Sequence, residues 1–184
     1  MAEPSFFDDL APERPRHDRL LFFLMPDDAA NDRMDALVET LSVTGRPVAR
    51  PRRHATLAHI GDYAGFPPGL IYKACKAAAN TDSGRFEVMF DEAVSWQRNL
   101  VLRPSDGLPA LMSLRETLWL ELAKLGIKAQ ATPQRSPHIT LFQDAAPAEP
   151  TGIEPVRWTA RDFVLMHSFL GKTRHIPLGR WPLR

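Results

Sequence analysis

Two four-residue segments of the chain carry the same pattern of reactive side chains. The first is His54-Ala55-Thr56-Leu57 and the second is His138-Ile139-Thr140-Leu141. Both read His-x-Thr-Leu, with a small or apolar residue at x, and their histidines lie 138 − 54 = 84 residues apart. In an extended strand, side chains two apart point the same way. Each segment therefore presents one imidazole and one hydroxyl on a single face and turns x and Leu toward a core. Two such strands brought together set two imidazoles and two hydroxyls around one cavity. Histidine gives or takes a proton near neutral pH, and threonine hydroxyls donate to phosphate oxygens. A neutral and a protonated imidazole make a base and an acid. The set suits in-line displacement at a phosphodiester, with no metal required. One His-x-Thr in a strand is common and usually structural. Two copies, each followed by Leu and a little under half the chain apart, favour the catalytic reading of His54, Thr56, His138 and Thr140.

The elements that must position these residues are legible from periodicity. Arg19 to Met25 is a short apolar run ended by Pro26, the pattern of a buried strand. Asp27 and Asp28 offer caps for a helix through about Ser42, with Met34, Leu37, Val38 and Leu41 on one face. Gly45 and Pro47 close it. Arg53 to Ile60, which holds the first motif, reads as a strand stopped by Gly61. Phe66-Pro67-Pro68-Gly69 opens a second helix through about Ala79, since Pro is tolerated in a first helical turn. Phe86 to Trp96 and Asn99 to Leu102 read as strands joined by a short turn. Leu108 to Leu125 is the longest helix, with Leu111, Leu114, Leu118, Leu122 and Leu125 on one stripe and Gly126 as its stop. His138 to Phe142 is a short strand holding the second motif. Asp144 to Pro155, rich in Ala and Pro, reads as a surface loop. Val156 to Trp158, Phe163 to Ser168 and His175 to Trp181 complete the chain as strands. Many strand-to-strand links are too short for parallel crossovers, which predicts an α+β fold with largely antiparallel sheets.

Composition narrows the partners. The chain has 184 residues and weighs 20.7 kDa, with 44% hydrophobic and 24% charged residues, as in ordinary globular domains. Its 23 basic and 22 acidic side chains leave a formal charge of +1. That argues against a protein that coats DNA, but a terminal phosphate needs only a few donors. The longest apolar run, Leu20 to Met25, falls far short of the roughly 20 residues that span a bilayer, so no membrane partner is expected. The single cysteine, Cys75, excludes an internal disulfide framework and a Cys-based zinc site. A reducing cytoplasmic location is expected, with no readable secretion signal. There is no Gly-rich phosphate loop, Walker lysine or dinucleotide fingerprint, so neither ATP nor another cofactor, nor a metal, is expected. Residues Met1 to Asp18 mix Pro, Asp, Glu and Arg without periodicity and read as a flexible N-terminal arm, with Phe6 and Phe7 as its anchors.

The paired motifs resemble those of the 2H phosphoesterases, and within them the 2'-5' RNA ligase or RNA 2',3'-cyclic phosphodiesterase group. The resemblance covers most of the chain from Arg19 onward. Arg19-Leu20-Leu21-Phe22-Phe23 with Pro26 is similar to the family's opening strand, and Ser136-Pro137-His138-Ile139-Thr140-Leu141 is the nearest match. Phe163 to Ser168 and Ile176 to Leu183, with a terminal Trp-Pro-Leu, resemble its closing strands. The resemblance implies one bilobal domain over residues 19–184, with antiparallel sheets forming a central cleft and helices outside. It implies opening of a terminal 2',3'-cyclic phosphate, on an RNA 3' end or a nucleotide, to a 2'-phosphate, with ligation as the reverse-type reaction, by a monomer. His54 and His138 carry over as the acid–base pair, with His54 favoured as acid and His138 as base, and Thr56 and Thr140 as phosphate donors.

The flanks depart from the family. Where it often has Arg or Lys and then an aromatic after the first motif, this chain has Ala58 and His59. After the second, Gln143 stands where Arg is frequent. Arg52, two before His54, and Arg135 near the second motif are the candidates to compensate. Phe142 should share the His138 and Thr140 face and offers a stacking surface to a base, or core packing. His59 should point away from His54. His167 and His175 read as structural, His17 as solvated, Cys75 as a buried thiol, and the four tryptophans as packing. Arg50-Pro51-Arg52-Arg53 reads as a solvated loop whose place beside His54 suits phosphate steering. Two other functions compete with the diesterase: a module that binds RNA ends or nucleotides without turnover, motivated by the lost basic flanks, and a 2H esterase for a small cyclic nucleotide metabolite, motivated by the near-neutral surface.

Overall fold

The computed structural model describes residues 17–129, 136–172 and 174–184. Met1 to Arg16 of the expected arm, with Phe6 and Phe7, and the candidate Arg135 lie outside them. Asp18, expected to end the arm, instead opens the first strand, opposite both Tyr63 and Phe169.

Among the described residues the chain runs β1 (Asp18–Leu24), α1 (Asp28–Thr40), β2 (Arg46–Pro47), β3 (Ala55–Tyr63), α2 (Pro68–Asn80), β4 (Phe86–Trp96), β5 (Asn99–Arg103), α3 (Pro109–Lys124), β6 (Ile139–Gln143), β7 (Thr151–Ala160), β8 (Asp162–Phe169) and β9 (Arg174–Pro182). The strands form two sheets of order β3-β1-β8-β9 and β2-β6-β5-β4-β7. Every described pairing is antiparallel. The α+β expectation therefore stands, and each sheet holds one motif strand.

Local signals act as the sequence suggests. Asp27 caps α1 by accepting from the Ala30 N–H at 2.9 Å. Gly126, with φ of 75°, ends α3 in the left-handed conformation, and the Ile127 N–H reaches back to the Leu122 carbonyl. Leu111, Leu114, Leu118 and Leu122 are fully buried, joining Leu20, Phe22, Phe90 and Ile139 in one core shared by both sheets.

Three boundaries differ. Arg46 and Pro47 do more than end a helix: they pair with Gln143 and Phe142 as a short edge strand. β3 passes through Gly61 to Tyr63 instead of stopping there. The loop expected to end at Pro155 gives way to β7 at Thr151. Pro155 is tolerated because β7 is an edge strand and its register against β4 shifts between Phe90 and Glu92, where no ladder donor is needed.

Candidate active site

Both histidines sit one residue before their strands, His54 ahead of β3 and His138 ahead of β6. His54, Thr56, His138 and Thr140 all line one open cleft of about 530 Å³, together with Arg52. The cleft is thus built from the first strand of one sheet and the second motif strand of the other.

The two motifs share a local device. The Nδ1–H of His54 donates to the Arg52 carbonyl at 2.7 Å, and that of His138 to the Ser136 carbonyl at 3.2 Å. A carbonyl only accepts, so each Nδ1 carries a proton and exchange with a substrate runs through Nε2. Each strand also bulges at the motif Leu. Phe22 and Phe23 face Ala58 and Thr56, which leaves Leu57 as the extra residue. Leu100 and Val101 face Phe142 and Thr140, which leaves Leu141 as the extra residue.

The bulges account for two corrections. Past Leu141 the alternation steps by one, so Phe142 turns inward, 3% exposed within the core, and does not line the cleft. Gln143 takes the cleft side in its place. Past Leu57, Ala58 is buried and His59 returns to the cleft side of its sheet, opposite the cleft residue Leu21. His59 is held there by Asp62, at 2.9 Å from Nε2, and Asp62 is in turn clamped by both arms of Arg19 at 2.7 Å. The Arg19 guanidinium holds the Asp62 carboxyl down at about 2.

The basic run before His54 is not the solvated loop expected of it. It folds into a 3-10 turn over Arg50–Arg52. Arg53 is buried, paired with Asp35 at 2.7 Å and donating to the carbonyls of Val48 and Asn31. Arg50 pairs with Asp32 and Asp35. Arg52 alone of the three lines the cleft, and among the described residues it has no carboxylate partner.

Electrostatics distinguish the first imidazole. The His54 ring stacks on Phe23 at 3.6 Å between centroids, which strips water from one of its faces. That desolvation, reinforced by His175, His138 and Arg52 nearby, pushes its pKa down to about 4. His54 is therefore neutral at physiological pH. His138 rests against Trp96 instead, with centroids 4.5 Å apart.

Several residues of the site escape the sequence reading. Trp96, expected as packing, walls His138. Phe23 supports His54. His175, expected as structural, lines the cleft beside Lys172. Their signal lies in sheet order, which brings β9 and the β8–β9 turn onto the cleft and which spacing along the chain does not encode. His167 is structural as expected, bonded to Asp18 at 2.6 Å. Among the described residues no group of three or more His, Cys, Asp or Glu is arranged to hold a metal ion.

No family model matches the chain. The RNA 2',3'-cyclic phosphodiesterase of Escherichia coli (strain K12) is 30% identical over 148 residues, 76% of this chain and 80% of that protein. A crystal structure of E. coli LigT complexed with 3'-AMP superposes with a TM-score of 0.75 at 27% identity, over 91% of this chain and 98% of that one. A crystal structure of a phosphoesterase superposes with a TM-score of 0.76, also at 27% identity, over 90% and 98%. With the duplicated His-x-Thr-Leu at one cleft and this likeness across most of its length, the chain belongs to the RNA 2',3'-cyclic phosphodiesterase family of 2H phosphoesterases.

Proposed function

We propose that this protein opens a terminal 2',3'-cyclic phosphate, on an RNA 3' end or a nucleotide, to a 2'-phosphate, and joins such ends to a 5'-hydroxyl when that hydroxyl attacks in place of water. The observation that carries the reading is the convergence of His54, Thr56, His138 and Thr140 on one cleft with Nδ1 of each imidazole tied to a backbone carbonyl. In hydrolysis, water attacks phosphorus in line with the 3' oxygen. His138 takes the water proton as base. The bond from phosphorus to the 3' oxygen breaks, and His54 gives that oxygen a proton. The products are a 2'-phosphate and a 3'-hydroxyl. Thr56 and Thr140 donate to the non-bridging oxygens, where charge accumulates, and Arg52 adds positive charge.

Burial holds His54 neutral in the free protein. Its proton is therefore taken up with the substrate, whose negative charge offsets the desolvation and the neighbouring cations. Ligation runs the same steps with a 5'-hydroxyl in place of water: His138 takes its proton, its oxygen bonds to phosphorus, and the 3' oxygen leaves with the proton from His54, which gives a 2'-5' linkage. The scheme uses no metal or cofactor. A single chain supplies both walls of the cleft, which supports action as a monomer. The lone cysteine and balanced charge support a cytoplasmic setting; among the described residues no helix is long and apolar enough to cross a membrane.

The test is incubation with EDTA of a 2',3'-cyclic mononucleotide and of a short RNA ending in the same group, with 2'- and 3'-phosphate products resolved. A 2'-phosphate is expected, with turnover reduced by about a thousandfold in His54→Ala and His138→Ala. Retained activity in either folded variant overturns the two-histidine mechanism. Tight binding without product assigns the protein instead to the binding modules.

A further inference from the structure

The cleft carries more positive charge than one cyclic phosphate uses. Of the four Arg and Lys side chains that line it, Arg19 is clamped by Asp62 and Arg46 is paired with Asp144 at 2.6 Å. Arg52 and Lys172 have no carboxylate partner among the described residues, and no Asp or Glu lines the cleft. Its volume of about 530 Å³ suits a whole nucleotide-sized ligand.

Of these two, Arg52 stands beside the first motif and Lys172 lies away from both. Lys172 lies on the turn between β8 and β9, and His175 lies on β9, opposite Ser168. β3 and β9 are the two edges of their sheet, separated by three strand spacings, or about 14 Å between backbones. Side chains close part of that gap: the His175 ring meets Phe23 edge-on, with centroids 6.5 Å apart, on the same residue that stacks on His54. Arg52 acts electrostatically on both His54 and His175, so its charge is felt at both ends.

His175 has a defined polarity. Its Nδ1 is buried and accepts or donates no hydrogen bond. A buried lone pair is tolerated better than a buried unmatched N–H. The proton therefore belongs on Nε2, which makes His175 a neutral N–H donor. Burial and Arg52 both oppose its protonation. A neutral donor that shares a cleft with two cations that no carboxylate neutralises is a set of groups that recognises an anion.

We infer that Arg52, Lys172 and His175 form a second anion subsite, which takes the phosphate on the 5' oxygen of the nucleotide that bears the cyclic phosphate. The inference rests on the diesterase reading and narrows its substrate to nucleotides with a 5'-phosphate or to RNA chains, in place of unphosphorylated nucleoside cyclic phosphates.

Three substrates with the same terminal base separate the possibilities: a nucleoside 2',3'-cyclic phosphate, its 5'-phosphorylated form, and the dinucleotide ending in the same cyclic group. Wild-type protein should favour both phosphorylated substrates by about tenfold or more in kcat/KM. Preference for the 5'-phosphomonoester alone, or for the dinucleotide alone, identifies which source of phosphate the subsite accepts. In Lys172→Ala and His175→Phe the preference should collapse toward unity, whereas His175→Gln, which keeps a side-chain N–H donor, should retain part of it. A wild-type preference within about twofold, or one that survives both Lys172→Ala and His175→Phe, overturns the subsite. Calorimetry of a nucleoside 2'-phosphate against its 2',5'-bisphosphate reads the same contact without chemistry. If no substrate turns over yet the bisphosphate binds more tightly and Lys172→Ala abolishes the gain, the diesterase reading falls and the subsite stands. If the second phosphate adds no affinity, the subsite falls as well.

Discussion

At the scale of single residues, the two cleft imidazoles are not equivalent, although their motifs are. His54 is stacked on Phe23 and pushed down to about 4, whereas His138 is walled on one side by Trp96. An acid that is unprotonated at neutral pH must gain its proton when the anion binds. The coupling has a direct signature. In a nuclear magnetic resonance titration of the free protein, His54 should titrate near pH 4. With inorganic phosphate bound, the neighbouring negative charge should raise that midpoint by at least about one unit, and binding should take up a fraction of a proton at pH 6. The titratable and positively charged neighbours that oppose protonation of His54 are His175, His138 and Arg52, so the midpoint of the free protein should be higher in His175→Phe. A midpoint that phosphate leaves unmoved would transfer the acid role to His138 and make His54 the base.

At the scale of elements, the edge position of β3 creates a problem that α3 solves. An edge strand exposes carbonyls that no neighbouring strand satisfies, and the bulge at Leu57 adds to them. Arg115, 8% exposed, donates to the Thr56 carbonyl at 2.9 Å, and Trp119 donates from Nε1 to the Leu57 carbonyl at 3.2 Å. In the second motif the equivalent Leu141 carbonyl accepts a backbone N–H from Val48 at 2.8 Å. One bulge is tied by a helix side chain and the other by the chain entering from β2. Arg115→Met should cost about 1–3 kcal/mol of stability, because it leaves a buried carbonyl unsatisfied. It should also lower kcat several-fold with little change in KM, because it loosens Thr56 without touching substrate. Arg115→Lys should recover part of both. Thermal melts and steady-state kinetics read the two effects separately, and a destabilised Arg115→Met with wild-type kcat would show that α3 supports the strand but does not position the site. These same bulges mark where the sequence stops being legible. Periodicity predicts β1, α1, α2, β4, β5 and α3 nearly to the residue, since apolar spacing, Asp27 and Gly126 are local signals. A bulge is decided by the partner strand, so Phe142 and His59 could not be assigned to the right face from β6 and β3 alone. Sheet order is likewise non-local, which is why local pattern alone reads His175 as structural and Trp96 as packing, while the paired His-x-Thr-Leu is visible in the sequence itself.

At the scale of the whole molecule, the path of the chain ties the two sheets together. The chain leaves the β3-β1-β8-β9 sheet after β1, returns for β3, leaves again for β4 and returns for β8. Only Arg161 separates β7 in one sheet from β8 in the other, and its carbonyl accepts the Leu183 N–H at 2.8 Å. The helices reinforce the exchange: α1 follows a strand of one sheet but packs on β7 of the other, and α3 follows β5 yet packs on β3. Neither sheet can therefore be completed without the other, and the shared core draws Phe22 and Leu165 from one side and Val88 and Ile139 from the other. We predict that residues 19–184 behave as a single cooperative domain. Hydrogen exchange read by mass spectrometry under rising denaturant should give the slowest amides of β4 and β8 the same opening free energy, equal to that of global unfolding. A gap of more than about 2 kcal/mol between the two sheets would mean that one lobe opens alone. Cooperativity matters for the proposed chemistry because His54 and His138 stand at the starts of strands in different sheets: a lobe that opened independently would separate the two imidazoles, whereas a single unit holds both at the cleft for as long as the protein stays folded.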